Sequence, residues 1–258
     1  MELDCQSGGA SLKEVGSSEP STEGFDFSSP DGLLPFRTIE IARTSEGKHM
    51  VLQEKDGAYF LFLGGEMLMG GQYHGSEEAL GTLGCLPLRE KKGLTILIGG
   101  LGMGYTLRAV LDSVPDDAVI TTAELSEAVI RWNHPEDGPL APGSGAPLAD
   151  ARSVIARQDL CELIRESQPG AFDAILIDTD NEPHALSYEG NDALYSLKGL
   201  SEIKQALSPD GVLGFWFLEA PVEFDQRLQE SGFEVTRHEV PCGEGGFHLI
   251  IIATPHSG

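Results

Sequence analysis

The chain has 258 residues, which fits one full-sized domain and a smaller unit, and two domains of equal size are not expected. Its 41 acidic residues against 17 basic ones give a net charge of −24, which argues against a nucleic-acid backbone or an anionic membrane surface as partner and leaves a cationic small molecule open. Most of that charge solvates the surface, so only acids lining a cleft bear on a substrate.

Residues 1–30, rich in Ser, Gly and Glu, bury too little apolar surface to offset chain entropy and are expected to be a disordered tail. They have no apolar stretch after a basic start, and no run reaches the ~20 apolar residues that span a bilayer, so a cytoplasmic protein is expected. Cys5, Cys85, Cys161 and Cys242 are far apart and lack histidines at metal-ligand spacing, so neither a metal nor redox chemistry is expected.

Residues 31–92 read as a small N-terminal β unit plus a helix. Thr38 to Thr44, His49 to Lys55 and Tyr59 to Gly64 are strand-like, with turns at Ser45-Glu46-Gly47 and Asp56-Gly57, which predicts antiparallel pairing. Ser76 is expected to cap a following helix with its hydroxyl. Glu77 and Glu78 then stand at the positive end of the helix dipole, Ala79, Leu80 and Leu83 on the buried side, and Pro87 beyond the end.

Residues 93–258 read as a nucleoside-binding catalytic domain. Thr95 to Ile98 show no polar alternation, as in a strand buried on both faces of a parallel sheet. Gly99, Gly100, Gly102 and Gly104 allow a tight turn and close approach of a ligand, and Tyr105, Leu107, Val110 and Leu111 give the next helix an apolar face. After a second strand, Ala118 to Thr122, stands Glu124, where a dinucleotide-type fold places the acid that takes both ribose hydroxyls. A helix Ser126 to Trp132, an irregular loop Pro135 to Pro147, a strand Ser153 to Ala156 and a helical stripe Leu160, Leu163, Ile164 follow. Ala171 to Ile177 is a buried strand ending in Asp178. Asn191 to Leu207 is a helix closed by Ser208-Pro209-Asp210-Gly211, Val212 to Leu218 a strand, and Val222 to Glu230 a helix. Phe233 to Val240 and Phe247 to Ala253, joined by a short turn, must pair antiparallel. The predicted fold is α/β: a doubly wound, mostly parallel Rossmann-like sheet with one reversed strand in a terminal antiparallel hairpin, preceded by the small β unit.

In such a sheet ligands lie outside the carboxyl ends of the strands, where the winding reverses. Glu124, Asp159 and Asp178 each follow a predicted strand. Any one of them suits a helix N-cap, but three ionised carboxylates at one rim are costly unless something partners them. Asp178, in IDTDNEP and ahead of the loop Pro183 to Gly190, suits either a general base toward an incoming amine or an anchor for a cationic substrate. Asp180 and Glu182 add negative charge nearby, and His184 is the alternative base. Glu77 and Glu78 either reach the same cleft or only serve the dipole.

From about Leu61 to Pro255 the chain resembles the spermidine synthase family of polyamine aminopropyltransferases, built on the class I S-adenosylmethionine-dependent methyltransferase fold. The family's Tyr-His-Glu helix signature falls on Ser76-Glu77-Glu78, where Glu78 agrees. Its GGGDGG loop and Leu-Arg fall on Gly100-Leu101-Gly102-Met103-Gly104-Tyr105 and Leu107-Arg108. The resemblance implies that Gly100, Gly102, Met103, Gly104, Glu124 and Asp159 hold decarboxylated S-adenosylmethionine, that Asp178 is catalytic, and that Glu78, Asp180 and Asn181 contact the amine acceptor. It also implies a homodimer without a metal. Two departures stand out: Asn181 replaces the second acid of the family's DSSDP, and Met103 replaces an aspartate that helps hold the donor's amine end. Loss of that charge removes a reason to reject the carboxylate of S-adenosylmethionine, so methyl transfer stands as the alternative to aminopropyl transfer. A non-catalytic nucleoside- or partner-binding protein is the third reading.

Overall fold

Two sheets frame the molecule, and the computed structural model describes them through residues 36–44, 47–179, 193–221, 223–243 and 245–256. The expected tail, Asp180, Asn181, Glu182, His184 and the loop from Pro183 to Gly190 lie outside the described residues.

The first sheet has four antiparallel strands in sequence order: β1 (Arg37–Arg43), β2 (His49–Lys55), β3 (Ala58–Leu63) and β4 (Glu66–Gly70). Asp56 and Gly57 both take positive φ (53° and 82°), the conformation a two-residue hairpin turn requires. The sequence reading lacked β4, a strand of five residues whose pairing shifts register between Leu61 and Phe62. Met50, Leu52, Leu61 and Leu63 point into the same hydrophobic core as Leu80, Ile98 and Val110. Glu40 of β1 accepts from Trp132 Nε1 at 2.8 Å and pairs with Arg131, so the small sheet is fixed to the helix that carries both residues.

Helix α1 (Gly75–Cys85) has its N-cap at His74, two residues before the expected Ser76, with no side-chain capping bond. Ser76 therefore does not cap it: as the second helical residue, it turns its hydroxyl inward to Glu77 and His248. Gly81 lets α1 lie close to the next helix, since a Cβ there would come 2.7 Å from that of Ala109.

The second sheet carries β5 (Thr95–Gly99), β6 (Val119–Ala123), β7 (Ser153–Ala156), β8 (Phe172–Ile177), β9 (Leu207–Phe217), β10 (Phe233–Cys242) and β11 (Gly246–Pro255). Between them run α2 (Tyr105–Ser113), α3 (Glu127–Trp132), α4 (Leu160–Glu166), α5 (Leu197–Ala206) and α6 (Phe224–Glu230). The order across the sheet is β10-β11-β9-β8-β5-β6-β7. The pairs from β7 to β9 are parallel, and β11 runs antiparallel to both of its neighbours. Winding reverses between β5 and β8. Ile96 and Ile98 enter one core cluster and Leu97 the other, and all three are fully buried, which is why β5 reads as an unbroken apolar run. Each such side chain contributes about 1.5–3 kcal/mol by leaving water.

Two further boundaries differ widely from expectation. Helix α5 starts at Leu197 because the Ser196 hydroxyl accepts the Gly199 N–H at 3.0 Å and satisfies the free first turn. Strand β9 starts at Leu207, so Ser208 to Gly211 lie within it. Leu207 pairs with Phe172, and the register slips between Phe172 and Ala174 to absorb the exposed Pro209-Asp210.

Candidate functional site

The carboxyl ends of β5 to β8 open on a cavity of about 390 Å³, walled on its far side by Arg43, Met50 and Leu61 of the small sheet and by Leu68 and Met69 of β4. That volume lies in the range of about 300–1,000 Å³ typical of small-molecule sites. The glycine turn forms one wall. Gly100 sits at φ 90° with its N–H on Ala123 O at 2.9 Å, and a Cβ there would run into the carbonyl of Asp178. Asn133 Nδ2 donates to Gly102 O at 2.9 Å, so the turn is held from behind by α3.

Three carboxylates meet at this rim. Glu124 follows β6, and its two oxygens accept different backbone N–H groups: Oε2 from Leu101 at 3.1 Å and Oε1 from Ser126 at 2.7 Å. The side chain thus fastens the glycine turn to the start of α3. Asp159 follows β7; its Oδ1 caps α4 by accepting the Glu162 N–H at 2.9 Å, and the residue also lines the cavity, so capping and lining are the same placement. Asp178 follows β8. Its N–H bonds Gly99 O at 2.9 Å, and its Oδ2 accepts the Thr106 hydroxyl at 2.5 Å. Among the described residues the charged lining is Glu124, Glu127, Asp159 and Asp178 against Arg43 and Arg157, with Arg157 already 3.2 Å from Glu127. The balance is negative and suits a cationic ligand.

Of the residues predicted from sequence, Gly100, Gly102, Glu124, Asp159 and Asp178 line one cavity. Met103 does not: it is 2% exposed and packs in the hydrophobic core, while Gly104 lies behind the turn against Pro147 and Ser144. Glu78 is half-exposed, 2.9 Å from His74 Nδ1, and is not part of the lining. Sequence reasoning missed Thr106, Arg43, Arg157 and the apolar wall from the small sheet. The one cue for Thr106 was a hydroxyl in the first turn of an apolar helix.

A second polar group, outside the cavity lining and linked to Asp178 through Thr106, stands where α1 meets α2 and the start of β11. Ser76 Oγ lies 2.5 Å from Glu77 Oε2, to which it donates, and 2.8 Å from His248 Nδ1. Thr106 Oγ1, which bonds Asp178, is also 3.2 Å from Glu77 O. Burial pushes the Glu77 carboxyl up and the His248 imidazole down from their ordinary values. The Tyr105 phenol is raised by burial and then by the charges of Glu77 and Glu78, and its ring stacks on His74 at 4.0 Å.

Among the described residues no group of three His, Cys, Asp or Glu side chains is placed to hold a metal, and no helix is long and apolar enough to cross a membrane. A nucleoside fits what is present: a glycine wall with no Cβ in the way, and the Glu124 carboxylate on the same lining.

No protein-family model matches the chain, and no curated protein matches it. Solved structures do. It is similar to the spermidine synthase from Thermotoga maritima, at 19% identity and TM-score 0.65 over 84% of this chain and 72% of that one. It is similar to a spermidine synthase in complex with the transition state analogue AdoDATO, at 20% identity and TM-score 0.66 over 84% and 73%. A probable spermidine synthase from Corynebacterium glutamicum aligns at 15% identity and TM-score 0.56 over 86% and 80%. The fold is therefore spermidine synthase-like.

Proposed function

We propose that this protein is a transferase that moves an aminopropyl or related alkyl group from a sulfonium nucleoside, of which decarboxylated S-adenosylmethionine is one, to a small-molecule amine. The observation that carries the reading is the meeting of Glu124, Asp159 and Asp178, from the ends of three parallel strands, around one cavity with the glycine turn. Glu124 takes the ribose hydroxyls, and Asp159 stands on the base side. Asp178 receives an N–H of the nucleophile, holds its lone pair in line, and stabilises the positive charge that grows on nitrogen. The spermidine synthase-like fold, one relative of which holds a transition state analogue, supports the same assignment. The displacement itself needs alignment and a proton acceptor.

Methyl transfer from S-adenosylmethionine is the second reading, and two observations favour it. Met103 puts no acid on the cavity wall, and Arg43 lines that wall as a cation with which a donor carboxylate can pair. Incubating the protein with each nucleoside and a panel of amines, with mass spectrometry of the products, separates the readings. Methylthioadenosine marks aminopropyl transfer and S-adenosylhomocysteine marks methyl transfer. Binding of both donors with neither product leaves the non-catalytic reading.

A further inference from the structure

We propose that His248, oriented by Ser76 and Glu77, takes the proton that the nucleophile loses, and that Asp178 orients the nucleophile without keeping its proton. This role deepens the transferase reading and rests on it.

Strand register places the two groups on one face. Ile177 pairs with Phe215, so Asp178 falls level with Trp216; Trp216 pairs with Ile250, and His248 lies two residues from Ile250 on the same side of β11. Because β11 runs against β9, those two residues carry His248 outward, past the rim at which the cavity opens. The Trp216 ring meets the imidazole edge to face at 4.8 Å. The start of α1 covers this stretch, with Thr106 joining Asp178 to the backbone of Glu77.

The hydrogen bonds select a tautomer. Ser76 has a single hydroxyl hydrogen, which it donates to Glu77 Oε2 at 2.5 Å. Its 2.8 Å contact with His248 Nδ1 then requires Nδ1–H as the donor, which leaves the lone pair on Nε2. Among the described residues Nε2 has no hydrogen-bond partner. Burial keeps the ring neutral near pH 7, ready to accept a proton, and Glu77 stands behind it to stabilise the imidazolium through Ser76. The other titratable groups facing this spot are His74 and Glu78 at α1, Tyr105 of α2, Asp178, and His238 and Cys242 of β10. Asp178 Oδ2 already accepts the Thr106 hydroxyl at 2.5 Å.

In the step itself the amine lone pair forms the bond to the transferred carbon, and the carbon–sulfur pair departs on sulfur, which becomes a neutral thioether. The N–H proton goes to His248 Nε2.

Nitrogen-15 NMR of the histidines, with His248→Asn to assign the signal, reads the tautomer without any turnover. The Nδ1–H form is expected, titrating below the ordinary histidine value of 6.5. The reversed chain, in which a protonated Glu77 donates to Ser76 and Ser76 to Nδ1, gives Nε2–H and overturns the proposal. His248→Asn keeps an N–H for Ser76 and removes the base. It is expected to slow single turnover roughly 10²–10⁴-fold, to abolish the acid limb of the pH–rate profile that the wild type shows below 6.5, and to leave donor affinity unchanged. A variant that keeps both rate and limb overturns the role of His248 while the transferase reading stands. A wild type that transfers nothing from either nucleoside refutes that reading and this role together.

Discussion

Replacing Glu124 tests the nucleoside assignment through two losses that the structure separates. Glu124→Ala strips the acceptor from the Leu101 and Ser126 N–H groups, and so unfastens the glycine turn from α3 before any ligand arrives. For half-buried backbone donors this costs on the order of 1–3 kcal/mol, or a fall in Tm of about 2–12 °C for a chain of this size. Bound nucleoside loses in addition a charge-assisted partner for its ribose hydroxyls, again about 1–3 kcal/mol, which is a roughly 5- to 150-fold rise in Kd. Glu124→Gln divides the two effects: its amide oxygen still accepts one N–H, so Tm falls less, while the lost charge weakens binding nearly as much. Calorimetric titration with methylthioadenosine and S-adenosylhomocysteine, beside thermal unfolding of the same preparations, reads both quantities. Unchanged affinity in a Glu124→Ala protein that remains folded would refute the placement of the ribose.

Gly100→Ala forces a side chain onto a backbone at φ 90° and into the Asp178 carbonyl. It is expected to cost about 1–3 kcal/mol of stability and most of the nucleoside affinity, and a Tm within a degree of wild type would contradict this. Met103→Asp places a carboxylate at a position 2% exposed within the core. A marked fall in Tm is expected rather than a clean exchange of donor preference. A variant of native stability that switches to the decarboxylated donor would show that this side chain faces the ligand after all.

How far the sequence carried depended on whether a feature was local. Strand β5 was legible because burial on both faces writes an unbroken apolar run, and the β10–β11 pair because its short turn leaves no other geometry. Glu124, Asp159 and Asp178 were legible because each stands at or just beyond the end of its strand, so local order fixes which rim it joins. The wall contributed by Arg43, Met50 and Met69 was not, since nothing local says which face of a small sheet will lie over a strand end far along the chain. The Ser76 contact with His248 spans 172 positions, and a helix-start serine reads as a cap until its partner is placed. Met103 shows the opposite failure: alignment with a motif placed the residue correctly in the turn but could not say that its side chain points into the core.

Asp178→Asn is the most direct test that this cavity performs displacement on a nucleophile rather than merely binding a nucleoside. The amide keeps the size of the carboxylate and an oxygen for the Thr106 hydroxyl, and removes the charge that faces the nucleophile. Single-turnover transfer from pre-bound donor, followed by release of methylthioadenosine or S-adenosylhomocysteine, is predicted to slow roughly 10²–10⁴-fold, with Tm and donor affinity near wild type. An unchanged rate, or a loss of stability or affinity with the transfer rate of bound substrate intact, would contradict the account.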